Sequence, residues 1–141
     1  MIPTELASLL HLTAVLVLTG FVWTAQLILY PALFDIEPSR WNAFHRRGAR
    51  NVTLIVLPAM AVQLMTSILL VWENPQPLHH GFLFAAITAW IVTVAVFIPL
   101  HGKLGLRPLP ALIRQLIALN WIRTLIWTGT AIAAVASSAS A

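Results

Sequence analysis

Four long apolar stretches alternate with short polar connections along the chain. They cover about residues 6–30, 49–72, 81–100 and 112–136, and each contains 20 or more residues. A helix of ~20 mostly apolar residues crosses the ~30 Å hydrocarbon core of a bilayer. A helix also satisfies its own backbone groups, which water cannot do inside that core. The pattern predicts an all-α fold, an integral membrane four-helix bundle in which residues 1–141 form a single domain.

Prolines refine the expected limits of these helices. Pro31 follows the first stretch and Pro99 lies near the end of the third, so both are expected to end helices. Pro58 lies inside the second stretch and predicts a kink. The first connection mixes apolar and basic residues, and we expect Ser39 to Arg47 to form a short amphipathic helix at the membrane surface.

Composition excludes a water-soluble domain. Sixty per cent of the 141 residues are hydrophobic and nine per cent are charged, whereas a soluble domain carries about a quarter charged residues. The chain has no cysteine, which excludes disulfides and thiolate metal sites. It also lacks a glycine-rich phosphate loop, and its apolar stretches contain neither paired carboxylates nor a lysine.

The basic residues predict how the chain is oriented. Seven of the eight lie in or beside the first and third connections, and none lies in the second connection or at either end. They are Arg40, Arg46, Arg47, Arg50, Lys103, Arg107 and Arg114. The positive-inside rule places these connections in the cytoplasm and both termini on the outer side. We therefore expect a multi-pass protein of the bacterial inner membrane that contacts lipid and does not bind nucleic acid.

The eighth basic residue, Arg123, lies inside the fourth stretch, about 20 Å along the helix from its outer end. A buried arginine needs a carboxylate, several carbonyls or an anionic ligand. Asp35 and Glu37 of the first connection could reach it only by folding back into the bundle. Without them, an anionic or carbonyl-bearing ligand would supply the partner. The helical face that carries Arg123 also carries Asn120, Thr124 and Trp127.

Polar residues of the other stretches are expected at the same depth. Counting residues from the cytoplasmic end predicts one layer made of Gln26, Tyr30, His45, Asn51, His101, Asn120 and Arg123. In the enzyme hypothesis, His45 or His101 acts as a base or a metal ligand, and Arg123 with Asn120 stabilises a developing oxyanion. The residues expected to contact a substrate are Gln26, Tyr30, Trp23, Trp127 and Asn51.

Each of these residues also has a structural interpretation. Asn and Gln commonly link membrane helices by hydrogen bonds, and the tryptophans could simply fill the core. His45 and His101 are the candidate ligands for a transition metal or haem iron, although no familiar ligand spacing supports a metal. His11, near the outer face, and the adjacent pair His79 and His80 favour structural or solvated roles.

Three segments carry a family resemblance. They are Trp23-x-x-Gln26-x-x-x-Tyr30-Pro31, Phe44-His45-Arg46-Arg47, and Asn120-Trp121-Ile122-Arg123-Thr124-x-x-Trp127-Thr128. Together they resemble small bacterial four-helix integral membrane proteins. The segment Pro99-x-His101-x-x-Leu104 is similar to a Pro-x-Asn-x-x-Leu turn of the anthrone-oxygenase-like membrane family, with histidine in place of asparagine.

The resemblance implies a four-helix bundle with oxygenase or oxidoreductase chemistry on a hydrophobic aromatic or quinone-like molecule. It would assign the site to Gln26, His45, His101, Asn120 and Arg123. We therefore expect a polar pocket in the cytoplasmic half of the bundle. Two alternatives stay open: a non-catalytic module that holds haem, quinone or a metal, and an accessory subunit of a larger membrane complex or homo-oligomer. The cofactor is haem, a transition metal or none.

Overall fold

The computed structural model describes residues 3–139, and the two residues at each end of the predicted domain lie outside the described part. Helix α1 covers Thr4–Thr24 and continues through a π-helical turn at Ala25–Leu29 and a 3₁₀ turn at Pro31–Asp35. Helix α2 covers Pro38–Glu73. Helix α3, Pro77–Val92, continues through a π turn at Thr93–Phe97 into α4, Ile98–Leu104. Helix α5 covers Pro110–Ser138.

These elements form four helical rods, each long and apolar enough to cross a membrane. No strand occurs between residues 3 and 139. The predicted all-α membrane bundle is therefore confirmed. The outward-facing surface is also apolar, as Leu54, Phe84 and Leu125 show with exposed fractions of 69, 73 and 67%. Rods that are hydrophobic on all sides suit lipid contact outside and packing inside.

The rods extend beyond the apolar stretches at the end of the bundle that holds most of the basic residues. The segment expected to form a separate surface helix is continuous with α2, which starts at Pro38. Pro58 lies inside α2 without ending it. The third rod passes through Pro99 and ends at Leu104. We call this end of the bundle, which carries Arg46, Arg47, Arg50, Lys103, Arg107 and Arg114, the basic end.

Two π turns lie immediately before prolines in the first and third rods. The Tyr30 amide donates to the Ala25 carbonyl, and the Ile98 amide donates to the Thr93 carbonyl, each five residues back. Proline follows in both cases, and its ring clashes with the carbonyl four residues earlier. Widening the turn relieves that clash without ending the helix. The widened turns contain Gln26 and Phe97, both buried.

The bundle core has three apolar layers. The layer at the basic end is built from Trp41, Phe97, Leu104, Ile113 and Leu116 with their neighbours. A middle layer contains Leu18, Val22, Met60 and Trp127. The layer near the termini contains Ala7, Leu70, Phe82 and Ala134. Buried polar side chains lie between and beside these layers, and one group of them surrounds Arg123.

Candidate functional site

Arg123 is buried on α5, with 4% of its surface exposed. Its guanidinium carbon lies 3.9 Å from the centroid of the Phe97 ring and 5.5 Å from that of the Trp127 ring. Aromatic faces attract cations, more strongly when both are desolvated. The Arg123 Nε has no hydrogen-bond partner. The side chain is therefore held between rings while one of its donors stays unused.

Neither of the two nearby carboxylates neutralises Arg123. Asp35 and Glu37 are exposed, so they do not fold back into the bundle. The polar neighbour is Tyr30, whose hydroxyl lies within interaction distance of the guanidinium and which is itself buried. A phenol and two rings offset only part of the desolvation of a buried charge. The local structure thus favours an added oxygen-bearing partner for Arg123.

Asn120 lies one turn before Arg123 and is fully buried. Its Nδ2 donates to Gln26 Oε1 at 2.9 Å and to the Val22 carbonyl at 3.3 Å. The Gln26 Nε2 donates in turn to the Ile117 carbonyl at 3.3 Å. These bonds join α1 to α5, as expected of amides that link membrane helices. The Asn120 Oδ1 has no partner, so an unused acceptor and the unused Arg123 donor lie on one helical face.

His45 and His101 come together at the basic end. His101 Nδ1 and His45 Nε2 are 3.5 Å apart, and the ring centroids are 5.6 Å apart. The Trp41 ring stacks on His45 at 5.7 Å. The Tyr30 ring lies 6.0 Å from the His101 ring. Because Tyr30 also faces Arg123, a continuous row of side chains leads from the half-buried His45 to the buried arginine.

The two histidines at the outer end of the row have a geometry that suits either a shared proton or a metal. Two nitrogens bound to one tetrahedral metal lie ~3.4 Å apart, given metal–nitrogen distances of ~2.0–2.1 Å. The observed 3.5 Å between His45 and His101 fits that geometry as well as a shared proton. Between residues 3 and 139, no group of three or more His, Cys, Asp or Glu could complete such a site. Further ligands would have to come from water or a substrate.

The structure does not bring every expected residue to the row. Asn51 is exposed on α2. Trp23 is half-buried; its Nε1 donates to Thr128 Oγ1 at 3.0 Å and its ring packs edge-on against Trp121. Trp127 belongs to the site, and its Nε1 donates to Gln63 Oε1 at 3.0 Å. Gln26, Tyr30, His45, His101, Asn120 and Arg123 lie along or beside the row, as the depth of each residue predicts.

Sequence reasoning missed Phe97 and Trp41. Phe97 forms the closest ring contact of Arg123, and Trp41 Nε1 donates to the Leu104 carbonyl at 2.6 Å beside His45. Pro99, two residues after Phe97, is the feature of the sequence that could have indicated the position of Phe97. A proline favours a widened turn before it, and Phe97 lies in that turn. No comparable signal marks Trp41, whose position in a basic connection is typical of a surface tryptophan.

A cleft of about 210 Å³ lies between the third rod and α5. Its lining is Ala95, Val96, Pro99, Leu100, Lys103, Leu112, Gln115 and Leu119. Val96 directly precedes Phe97, and Leu119 directly precedes Asn120. The cleft therefore lies near the level of the Arg123 site along the helices, although Phe97, Asn120 and Arg123 do not line it.

A second buried polar cluster surrounds His11, towards the termini. The Thr66 hydroxyl donates to the Val62 carbonyl at 2.7 Å, and the Ser67 hydroxyl donates to the Gln63 carbonyl at 2.7 Å. Both hydroxyl oxygens lie 3.3 Å from His11 Nδ1. Since the hydroxyl protons are already committed, Nδ1 must carry the proton that both oxygens accept. The Nε2 lone pair of His11 then has no partner.

We expect neutral His11 to be the Nδ1–H tautomer. Nitrogen-15 NMR of histidine-labelled protein distinguishes the two tautomers, and the His11 signal is assigned by its loss in His11→Phe. Replacing both acceptors, in Thr66→Val with Ser67→Ala, should release the ring to the other tautomer. A wild-type signal from the Nε2–H tautomer would contradict the bonding described above.

No protein-family model, no curated protein and no solved structure matches the chain.

Proposed function

We propose that this protein is a membrane-embedded oxidoreductase or oxygenase-like protein that binds a hydrophobic aromatic or quinone-like molecule through one of its oxygens. The observation that carries the proposal is the buried Arg123, which no carboxylate of residues 3–139 neutralises and whose Nε donor is unused beside two aromatic rings. A ring-shaped ligand with a carbonyl would pair with the donor and pack against the rings.

The two polar atoms without partners, Arg123 Nε and Asn120 Oδ1, suit the oxidised and the reduced form of such a ligand. A carbonyl oxygen of the oxidised form would accept from Arg123 Nε–H, while a hydroxyl of the reduced form could donate to Asn120 Oδ1. Charge that develops on the oxygen would be stabilised by the guanidinium, which acts strongly in a dry site. The electrons would come from a separate redox partner.

Reduction of a quinone to a quinol takes up two electrons and two protons. The row from His45 to Tyr30 would supply the proton for the oxygen beside Arg123, and the other oxygen would take its proton from water. The Tyr30 hydroxyl, next to Arg123, would give its proton to the ligand oxygen. His101 would return a proton to Tyr30, and His45 would recharge His101 from the half-exposed end of the row. Imidazoles suit this task because one ring nitrogen can accept a proton while the other donates one.

The location follows from the distribution of charge. With the basic end in the cytoplasm, both termini face outward and the row draws its protons from the cytoplasmic side. The protein would then lie in a bacterial inner membrane, and its ligand would enter from the bilayer through the cleft beside Val96 and Leu119.

One alternative has a specific observation in its favour. The 3.5 Å separation of the His45 and His101 nitrogens also suits a non-catalytic module that holds a transition metal at the basic end. Elemental analysis and an absorption spectrum of detergent-purified protein separate the two functions. Stoichiometric metal lost in His101→Ala but retained in Arg123→Met would favour the metal module.

A short-chain benzoquinone should bind the purified protein and quench its tryptophan fluorescence, since Trp127 adjoins Arg123. The matched probe is the corresponding alkylbenzene, which has the ring and chain without the carbonyls. We expect saturable quenching by the quinone alone, competitive with the reduced quinol. Equal effects of quinone and alkylbenzene would refute recognition through the ligand oxygen.

A further inference from the structure

Three arginines form one exposed group on the first turns of α2. Arg46, Arg47 and Arg50, together with Ala43, line a cleft of about 230 Å³. Arg50 lies four residues after Arg46 and three after Arg47, so both are its neighbours on the helix surface. Three guanidinium groups therefore share one helical turn and one concave surface. We call this feature the arginine cleft.

The described residues do not neutralise the arginine cleft. Glu37 accepts from the Ser39 hydroxyl, and Glu73, at the other end of α2, accepts from the Thr4 hydroxyl. Across residues 3–139, no carboxylate forms an ion pair with Arg46, Arg47 or Arg50. Like charges at these spacings destabilise a helix. An anionic partner from outside the chain would offset that repulsion.

The position of the arginine cleft selects the kind of anion. Arg50 lies just before the apolar part of α2, where Leu54 and Ile55 are 69 and 54% exposed towards lipid. Phe44, on the same turns, is 38% exposed. The cleft therefore lies at the boundary between hydrocarbon and water, at the depth of lipid phosphates. One guanidinium group can bind two oxygens of a phosphate through two parallel hydrogen bonds, whereas the ammonium group of a lysine acts as a point charge.

We infer that the arginine cleft is a specific binding site for the phosphate headgroup of an anionic phospholipid. The headgroup lies among the three guanidinium groups, and its acyl chains run along the exposed apolar face of α2. This inference is independent of the function proposed for Arg123, because none of its residues belongs to the row from His45 to Arg123.

Membrane topology alone does not account for the arrangement. The orientation of the helices in the membrane depends only on which side carries more positive charges. It does not require those charges to lie close together. Lys103, Arg107 and Arg114 meet that requirement from three positions on different elements of the same end. These three residues serve as the control, because they carry the same total charge as the three arginines of the cleft but do not line it.

The test measures lipid binding to detergent-purified full-length protein by native mass spectrometry. The probes are phosphatidylglycerol, phosphatidylcholine with the same acyl chains, and inorganic phosphate. We expect the wild type to bind phosphatidylglycerol at least ~10-fold more tightly than phosphatidylcholine, a difference of ~1.4 kcal/mol. The triple variant R46Q/R47Q/R50Q should lose this preference, and the control variant K103Q/R107Q/R114Q should keep it.

Three results would overturn the inference. The first is equal binding of both lipids by the wild type, and the second is equal loss of preference in both triple variants. The third is displacement of the lipid by millimolar inorganic phosphate, which would indicate a site for the free ion. If the cleft variant does not fold, the single variant Arg50→Gln takes its place, because Arg50 neighbours both other arginines. It should weaken the preference, and an unchanged preference would count against the site.

Discussion

Replacing Arg123 by methionine is expected to weaken quinone binding strongly while leaving the bundle as stable as before or more so. A hydrogen bond from a charged donor contributes about 1.5–3 kcal/mol, so affinity should fall by ~10- to 100-fold. The free energy of unfolding should stay unchanged or rise, because Arg123 is a buried charge that no carboxylate in the described part of the chain neutralises. Removing it ends a desolvation penalty of several kcal/mol and gives up cation–π attraction of about 2 kcal/mol.

Binding is measured by tryptophan quenching, and stability by thermal unfolding followed with circular dichroism. The matched control is Arg114→Met, an exposed arginine on the same helix, which should change neither quantity. Arg123→Lys keeps the charge but loses the planar group between Phe97 and Trp127, so it should bind weakly. A strongly destabilised Arg123→Met variant would mean that Arg123 serves the fold. Unchanged quinone affinity would exclude it from the site.

Among the variants proposed here, Trp41→Ala is expected to lower the free energy of unfolding most. Trp41 is fully buried, stacks on His45 and donates to the Leu104 carbonyl at 2.6 Å. It thereby fastens the start of α2 to the end of α4. Truncation leaves a cavity and a carbonyl without its donor, and such changes reduce the free energy of unfolding by about 3–5 kcal/mol.

The measurement is equilibrium unfolding in mixed micelles, with two comparison variants. Trp41→Phe keeps most of the packing and removes the indole donor, so it should lose about 1–3 kcal/mol. Trp72→Ala removes a tryptophan that is 85% exposed and should stay within about 0.5 kcal/mol of the wild type. If Trp41→Ala and Trp72→Ala were equally stable, the contact between α2 and α4 would not support the fold.

Trp41→Ala should also disturb the candidate site, because His45 loses its stacking partner. Quinone affinity at Arg123 should change little, since Trp41 contacts the opposite end of the row. A coupled loss of binding and stability would indicate that the row and the bundle form a single cooperative unit.

The amino-acid sequence by itself determined the architecture. Four stretches of 20 or more apolar residues leave a chain with nine per cent charged residues few options besides four membrane helices. Helical spacing also placed Asn120, Thr124 and Trp127 on the face of Arg123, and all are buried there. Counting residues along each helix gave the correct depth for His45 and His101, whose nitrogens meet at 3.5 Å.

Only the tertiary structure decided which residues at that depth face inward. Asn51 has the depth predicted for the layer and still points away from the bundle. A rise of ~1.5 Å per residue fixes the level of a side chain along its helix, whereas the rotation of that helix is set by how its neighbours pack. The two π turns add a further change, because each shifts the residues around it relative to a regular helix. Phe97, in the second of these turns, contacts Arg123, and the arginine that depth alone suggested becomes a candidate site with a neighbouring ring and two unused polar atoms.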